Sequence, residues 1–242
     1  MLDFLSDRQH QPEMLDAPDA DPRSLLKSLS YIRIMNRLLG YDRLIVRHLE
    51  RFSSRWTPGQ TIRILDVGTG SADIPLKVLK WAERRGFEVR IVAIDLHAYI
   101  VQQAGRAAEG IAKLAVVRAD ALLLPFGEGA FDYAITSMFI HHLDEAAVAR
   151  VMQEMSRVAR RGIIVSDLLR RRHAYAFITL ATLFATKMVR HDARVSVAQA
   201  FSEPEILALR DRAGVNYAAY HPYMGHRFVL AGEKDSSANQ SG

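Results

Sequence analysis

Cysteine is absent from all 242 residues of the chain. Without a thiol there is no disulfide framework, no Cys-ligated zinc or iron–sulfur centre and no thiolate nucleophile. Chemistry must come from carboxylates, imidazoles, hydroxyls and backbone groups. Also missing is any run of about 18 apolar residues, the length a transmembrane helix needs. The opening stretch from Met1 to Pro22 is acidic and polar and lacks the apolar core of a secretory signal. A reduced, cytoplasmic setting is the expectation. Neither sign of charge dominates: 32 basic and 27 acidic residues give a net charge of +5 and a pI near 9.6. That balance permits anionic partners without requiring them. No recognisable nucleic-acid module accompanies it, so nucleic acid is not the expected partner.

The chain also lacks internal repeats, and beyond the polar tail Lys234–Gly242 it has no low-complexity tract. Residues 1–21 read as a flexible leader and 22–59 as an N-terminal helical cap. Asp21-Pro22 suits a helix start, apolar residues recur at helical spacing from Ser24 to Leu39, and Gly40 suits the stop. A second helix is expected from Tyr41 to about Phe52, closed by a turn at Thr57-Pro58-Gly59. From residue 60 to 233 short β-rich runs alternate with amphipathic helical segments. The runs are Arg63–Val67, Val89–Ile94, Leu114–Val117, Phe131–Thr136, Ile163–Ser166, Asn216–Tyr220 and Arg227–Ala231. Alternation of this kind implies parallel strands joined by crossover helices. The last two runs have no helix between them and read as an antiparallel hairpin. The expected fold is α/β: a Rossmann-like, doubly wound, mostly parallel sheet of seven strands.

The sharpest motif is Ile64-Leu65-Asp66-Val67-Gly68-Thr69-Gly70-Ser71-Ala72-Asp73, a hydrophobic strand that runs straight into a glycine-rich turn and a helix start. Gly68 and Gly70 let the backbone approach a ligand, and the helix N-terminus offers free N–H donors. A dinucleotide site would need a third glycine where Asp73 stands. A pyrophosphate there would also meet the carboxylates of Asp66 and Asp73 and be repelled. A cation-bearing ligand fits better. Ile91-Val92-Ala93-Ile94-Asp95 is a second apolar strand ending in a carboxylate, 25 residues after Gly70 and suited to a ribose. A third run ends at Asp120, followed by Ala121-Leu122-Leu123-Leu124-Pro125-Phe126 and then Phe131-Asp132. Asp120 and the Ala121 N–H suit an adenine edge.

Residues 66–73, Asp95, 120–126 and 131–132 resemble the successive motifs of class I S-adenosylmethionine-dependent methyltransferases. They are most similar to the small-molecule branch that includes the ubiquinone/menaquinone enzymes. The leader residues Pro12–Asp16 with Ile34-Met35-Asn36-Arg37 resemble methyltransferases accompanying bacterial type III polyketide synthases. Ala72 departs from the pattern, standing where many members carry a third glycine. The resemblance implies S-adenosylmethionine as methyl donor and S-adenosylhomocysteine as product. It implies a donor site built from Asp66, Gly68, Thr69, Gly70, Asp73, Asp95, Leu96, Asp120, Ala121 and Ser137.

The acceptor side is less determined. Ser137-Met138-Phe139-Ile140-His141-His142-Leu143 follows the fourth strand, where class I enzymes face the methyl group, and it lacks the Asn/Asp-Pro-Pro-aromatic signature of amino-directed DNA and RNA enzymes. His141 and His142 have the right chemistry for a general base, although packing and cofactor-loop bonding are equally open to them. After the fifth strand, Arg170-Arg171-Arg172-His173 precedes Ala174–Thr186, thirteen residues without a charge. A helix apolar all round must be covered, and this one is too short to span a bilayer. Core burial, a lid over an apolar substrate, a dimer contact and transient contact with a membrane surface all remain open, as does the choice between monomer and homodimer. Arg190, His191 and Asp192 form a polar island, expected as a loop, that suits a substrate oxygen or carboxylate. Ser202 and Glu205 read as a capping box. No metal site is expected. The expected acceptor is a small hydrophobic molecule, a phenolic or polyketide-like hydroxyl first, with a quinol ring carbon and RNA as alternatives.

Overall fold

The computed structural model describes residues 5–9, 11 and 40–235. The helix start at Asp21-Pro22, the helix expected over 24–39 and residues 236–242 lie outside the described residues. Helix α1 (Tyr41–Phe52) is followed by β1 (Thr61–Val67), α2 (Asp73–Arg85), β2 (Glu88–Asp95), α3 (Ala98–Ala107) and β3 (Leu114–Arg118). Then come β4 (Phe131–Ser137), a single 3-10 turn at Ile140–His142, α4 (Glu145–Val158), β5 (Ala159–Leu168), α5 (Arg172–Ala181), α6 (Lys187–Gln199), α7 (Glu203–Arg212), β6 (Ala219–Tyr223) and β7 (Arg227–Glu233).

The strands form one sheet in the order β3-β2-β1-β4-β5-β7-β6. β1 to β5 are mutually parallel, and β7 pairs antiparallel with both β5 and β6. The central strands are apolar on both faces because helices cover both. Ile62 and Ile64 face a layer formed with α1 and α2, while Leu65 and Val67 face α4 and α7. Each such buried aliphatic side chain contributes about 1.5–3 kcal/mol. Chain order reverses between β1 and β4, so the connections leave the carboxyl edge in opposite directions and open a crevice there. That crevice positions the site.

The opposite edge is pinned by charge. Asp132, fully buried, pairs with Arg160 at 2.7 Å and Arg161 at 2.9 Å and accepts from the Arg63 N–H at 2.9 Å. Asp132 therefore holds the amino-terminal edge of the sheet, away from the carboxyl-edge crevice.

Three details differ from the sequence reading. The apolar segment expected as one helix over Ala174–Thr186 ends at Ala181; Thr182 follows with its hydroxyl on the Ile178 carbonyl (2.7 Å), and Thr186 caps the next helix. The polar island 190–194, expected as a loop, lies inside α6. The hairpin strand expected over 216–220 runs over Ala219–Tyr223, which shortens its turn to residues 224–226. The capping box is present as expected, with the Ser202 N–H donating to Glu205 Oε2 at 2.7 Å.

Candidate active site

The glycine turn after β1 is held by its backbone. Gly68 and Gly70 have φ of 69° and 54°, and the Thr69 N–H donates to the Ile94 carbonyl at 2.9 Å, tying the turn to the end of β2. A Cβ on Gly68 would stand 2.5 Å from Phe139 Cγ, so this turn lies directly against the loop after β4. Ala72, in the family's glycine position, has φ of 60°, a left-handed conformation that costs an L-residue on the order of 1 kcal/mol. Asp73 opens α2.

Asp66 is only 2% exposed, and its Oδ2 has no hydrogen-bond partner. Burial, reinforced by the nearby Asp95 charge and opposed by the Thr69 hydroxyl, pushes its carboxyl up to about 7. Asp95 ends β2; its Oδ2 accepts from the Gly70 N–H and its Oδ1 from the His97 N–H, each at 3.1 Å. Burial raises its carboxyl too, against those two hydrogen bonds. Asp120 lies one strand further out and accepts from the Leu122 N–H at 2.8 Å. Around these strand ends Leu96, Leu122 and Leu123 are exposed, Leu123 by 71%. An unpartnered buried carboxylate oxygen beside an apolar rim fits a ligand with an ammonium at one end and a flat base at the other.

The loop carrying Asp120 is fixed from behind by α4. Glu154 Oε2 accepts from the Leu124 N–H at 3.0 Å, Arg157 donates to the Leu124 and Phe126 carbonyls at 3.0 and 2.8 Å, and Arg150 donates to the Leu122 carbonyl at 3.1 Å. This apparatus is built from side chains of a helix 30 residues downstream.

Ser137 ends β4 opposite Ser166 of β5. Beyond it the chain turns at Met138 (φ 57°) and makes the 3-10 turn that carries His141 and His142. His141 is buried, with Nδ1 2.6 Å from Asp167 Oδ1 and its backbone N–H donating to Asp167 Oδ2 at 3.2 Å. Burial alone would push the Asp167 carboxyl up, but His141 outweighs it and holds that carboxyl below the usual range. His142 is exposed, its ring 4.2 Å from that of His141. Asp167 was not among the sequence-derived site residues, although Ile163-Ile164-Val165-Ser166-Asp167 repeats the pattern of an apolar run ending in a carboxylate.

Arg8 also was not among the sequence-derived site residues, and no motif marks it. From the expected leader it donates to the carbonyls of His141 (2.8 Å), Leu143 (2.6 Å) and Gln199 (2.5 Å), with its guanidinium 3.8 Å from the Phe201 ring centroid. Arg170 holds the same segment through the Leu5 and Ser6 carbonyls, at 3.1 and 3.3 Å, and pairs with Glu205 at 2.6 Å. Gln9 and Gln11 then line a cavity of about 190 Å³ together with Tyr175, His191 and Arg194. Of the polar island, His191 lines this cavity, Asp192 is buried against His191 at 3.0 Å, and Arg190 lies outside the lining.

Comparison with known proteins agrees with this geometry. Residues 64–162 match a family described as a methyltransferase domain. A ubiquinone/menaquinone biosynthesis C-methyltransferase UbiE from Rickettsia felis is 30% identical over 110 residues, 44% of this chain and 44% of that protein. The chain thus aligns with less than half the length of this curated relative. Among solved structures, a SAM-dependent methyltransferase from Aquifex aeolicus superposes with a TM-score of 0.62 at 18% identity, over 88% of this chain and 98% of that one. The plantazolicin methyltransferase BamL gives 0.60 at 13% identity, over 80% and 70% respectively. S-adenosylmethionine is the cosubstrate this family implies, and the strand-end carboxylates suit it. Residues 64–162 thus carry a methyltransferase domain, set in a sheet of Rossmann-like methyltransferase order and distantly similar to the UbiE group.

Proposed function

We propose that the chain moves a methyl group from S-adenosylmethionine to a small hydrophobic acceptor, first a hydroxyl of a phenolic or polyketide-like lipid. The observation that carries this reading is the buried His141–Asp167 pair on the carboxyl side of β4 and β5, across the chain reversal from Asp66. Asp66 would hold the ammonium, with the Gly68–Gly70 turn against the methionine portion. Asp95 would hold the ribose hydroxyls, and Asp120 with Ala121 the adenine. When bound, the donor supplies an electrophilic methyl carbon on a sulfonium that leaves as a neutral thioether.

The remaining work belongs to the chain. Asp167 accepts the Nδ1 proton of His141, which fixes the ring and leaves the lone pair on Nε2. Nε2 takes the acceptor's O–H proton as the oxygen pair forms the new bond to carbon and the carbon–sulfur pair returns to sulfur. General-base assistance of this kind is worth about 10²–10⁴ in rate. Burial of both partners keeps water from competing.

A second reading, methylation of a quinol ring carbon, is favoured by the similarity to a protein named as a C-methyltransferase. The same base serves it: a deprotonated phenol spreads its charge onto the ring carbons, and after the new carbon–carbon bond forms the ring C–H proton is lost and the oxygen regains one, restoring the aromatic phenol. Incubation with methyl-labelled donor and a lipid extract, followed by mass spectrometry and NMR of the labelled product, separates a methoxy from a ring methyl. His141→Gln should lower kcat at least a hundredfold and leave donor affinity within a few-fold. Label entering RNA and not the lipid fraction overturns the acceptor assignment.

A further inference from the structure

Among the described residues, nine large hydrophobic side chains are exposed, and they fall into two groups. Val117, Leu96, Leu122 and Leu123 lie on β3 and the ends of β2 and β3, around the donor site. The other five are Phe177, Leu180, Leu183 and Phe184 on α5 and the turn after it, and Met224 at the tip of the β6–β7 hairpin. The two segments of this second group touch: His173 Nε2 is 2.9 Å from the Gly225 carbonyl, and the Phe177 and His226 rings are 6.5 Å apart. Phe184 is 99% exposed, Met224 78% and Leu180 73%. The sequence reading that an all-apolar segment must be covered is met on one side only. Ala174, Tyr175 and Ile178 pack inward with Met138 and Leu168.

Charge around this patch has one sign. From Leu168 to His191 there is no Asp or Glu, and Arg171, Arg172 and Lys187 are exposed. Arg170, the third member of the arginine run, turns inward to Glu205 and does not belong to the collar. Glu203, at the start of α7, stands 3.5 Å from Arg171 and offsets part of its charge. No described helix is long and apolar enough to cross a membrane.

We infer that this face, α5 with its following turn and the hairpin tip, docks on an anionic lipid bilayer. Apolar side chains enter the acyl boundary while arginine and lysine meet the headgroups, the arrangement of interfacial amphipathic segments. A two-fold contact with a second copy would set this basic collar against its own like charges, which disfavours that occupant. The inner side of α5 rests on Met138, immediately after Ser137, so the docked face is one helix away from the loop after β4. On the reading proposed above, this admits a membrane-dissolved acceptor without passage through water.

The test is co-sedimentation of the full chain with vesicles of phosphatidylcholine alone or with added phosphatidylglycerol, at two salt concentrations. Binding should favour the anionic vesicles by about tenfold or more and fall as salt rises from about 0.05 to 0.3 M. The double variant Leu180→Ser/Phe184→Ser should lose roughly tenfold in partition. Arg171→Glu/Lys187→Glu should abolish the anionic preference. Both must bind S-adenosylhomocysteine as the parent does, which shows that they fold. Unaltered sedimentation of the parent with anionic vesicles, or parent-like partition of Leu180→Ser/Phe184→Ser, overturns the inference. So does a parent dimer that this variant dissociates. Vesicle partition needs no turnover, so failure of the methyl-transfer reading would show separately, as absence of labelled product.

Discussion

Asp66 sets a fact against a proposal: it is a carboxylate buried to 2% exposure, and the role proposed for it requires a charge. In the ligand-free protein its carboxyl is pushed up to about 7. A bound ammonium favours the ionised form, so binding and proton release are coupled. Donor affinity should therefore rise close to tenfold from about pH 6 to about 7.5. Titration calorimetry in buffers of different ionisation enthalpy should record proton release near pH 7. In Asp66→Asn the release should vanish and affinity should become flat over that range. At Gly68 the expected outcome is steric. Alanine would press its Cβ on Phe139 and hold a φ of 69°, at about 1–3 kcal/mol. Gly68→Ala should weaken binding of S-adenosylhomocysteine at least tenfold by calorimetry while leaving far-ultraviolet circular dichroism unchanged. Both residues were legible in the sequence because a strand, a glycine turn and a helix start are contiguous. His141 was legible as chemistry, but Asp167, its partner 26 residues on, was not: only the parallel pairing of β4 with β5 brings them together.

At the level of elements the difference between local and distant information repeats. Strand and helix order could be read because hydrophobic period is local. The end of α5 could not, since the apolar run 174–186 carries no glycine or proline to mark it. The docking of residues 5–9 could not either, because Arg8 answers to carbonyls more than 130 residues away. Hydrogen bonds from a charged donor are worth about 1.5–3 kcal/mol each when buried, so Arg8 is a principal tie between the loop after β4 and the end of α6. Arg8→Ala should lower stability by about 2–4 kcal/mol, read as a lower denaturation midpoint at unchanged m-value. It should also reduce kcat about tenfold or more, with donor affinity within a few-fold of the parent. A variant that loses stability but keeps full kcat would show that the strap holds the fold and not the reacting loop.

Across the molecule two buried groups oppose each other as pH changes. His48 on α1 packs against Tyr223, with the phenol 3.0 Å from its Nε2. Burial, aided by His221, lowers it to about 4. The unfolded chain takes up that proton first, so His48 costs stability as pH falls from about 6.5 toward 4. Asp66 works the other way: raised in the fold, it costs stability as pH rises from about 4 to 7. The ligand-free Tm should thus be nearly level across this interval. His48→Gln should uncover a decline toward neutral pH, and Asp66→Asn a decline toward acid, each on the order of 5 °C by calorimetry. A level profile in both variants would show that neither group is linked to folding.

The reversal of chain direction between β1 and β4 has a further consequence. Apart from Ser137 at the end of β4, everything assigned to the methyl donor hangs from β1, β2 and β3, whereas the leader strap, α5, α6 and the hairpin all gather on the far side. The two halves join along the β1–β4 pairing and, at the crevice itself, where Phe139 lies against the Gly68 turn. Selection can therefore rework one half for a new recipient without disturbing the other, and a graft of residues 168–200 from a distant homologue should arrive with its own taste in acceptors.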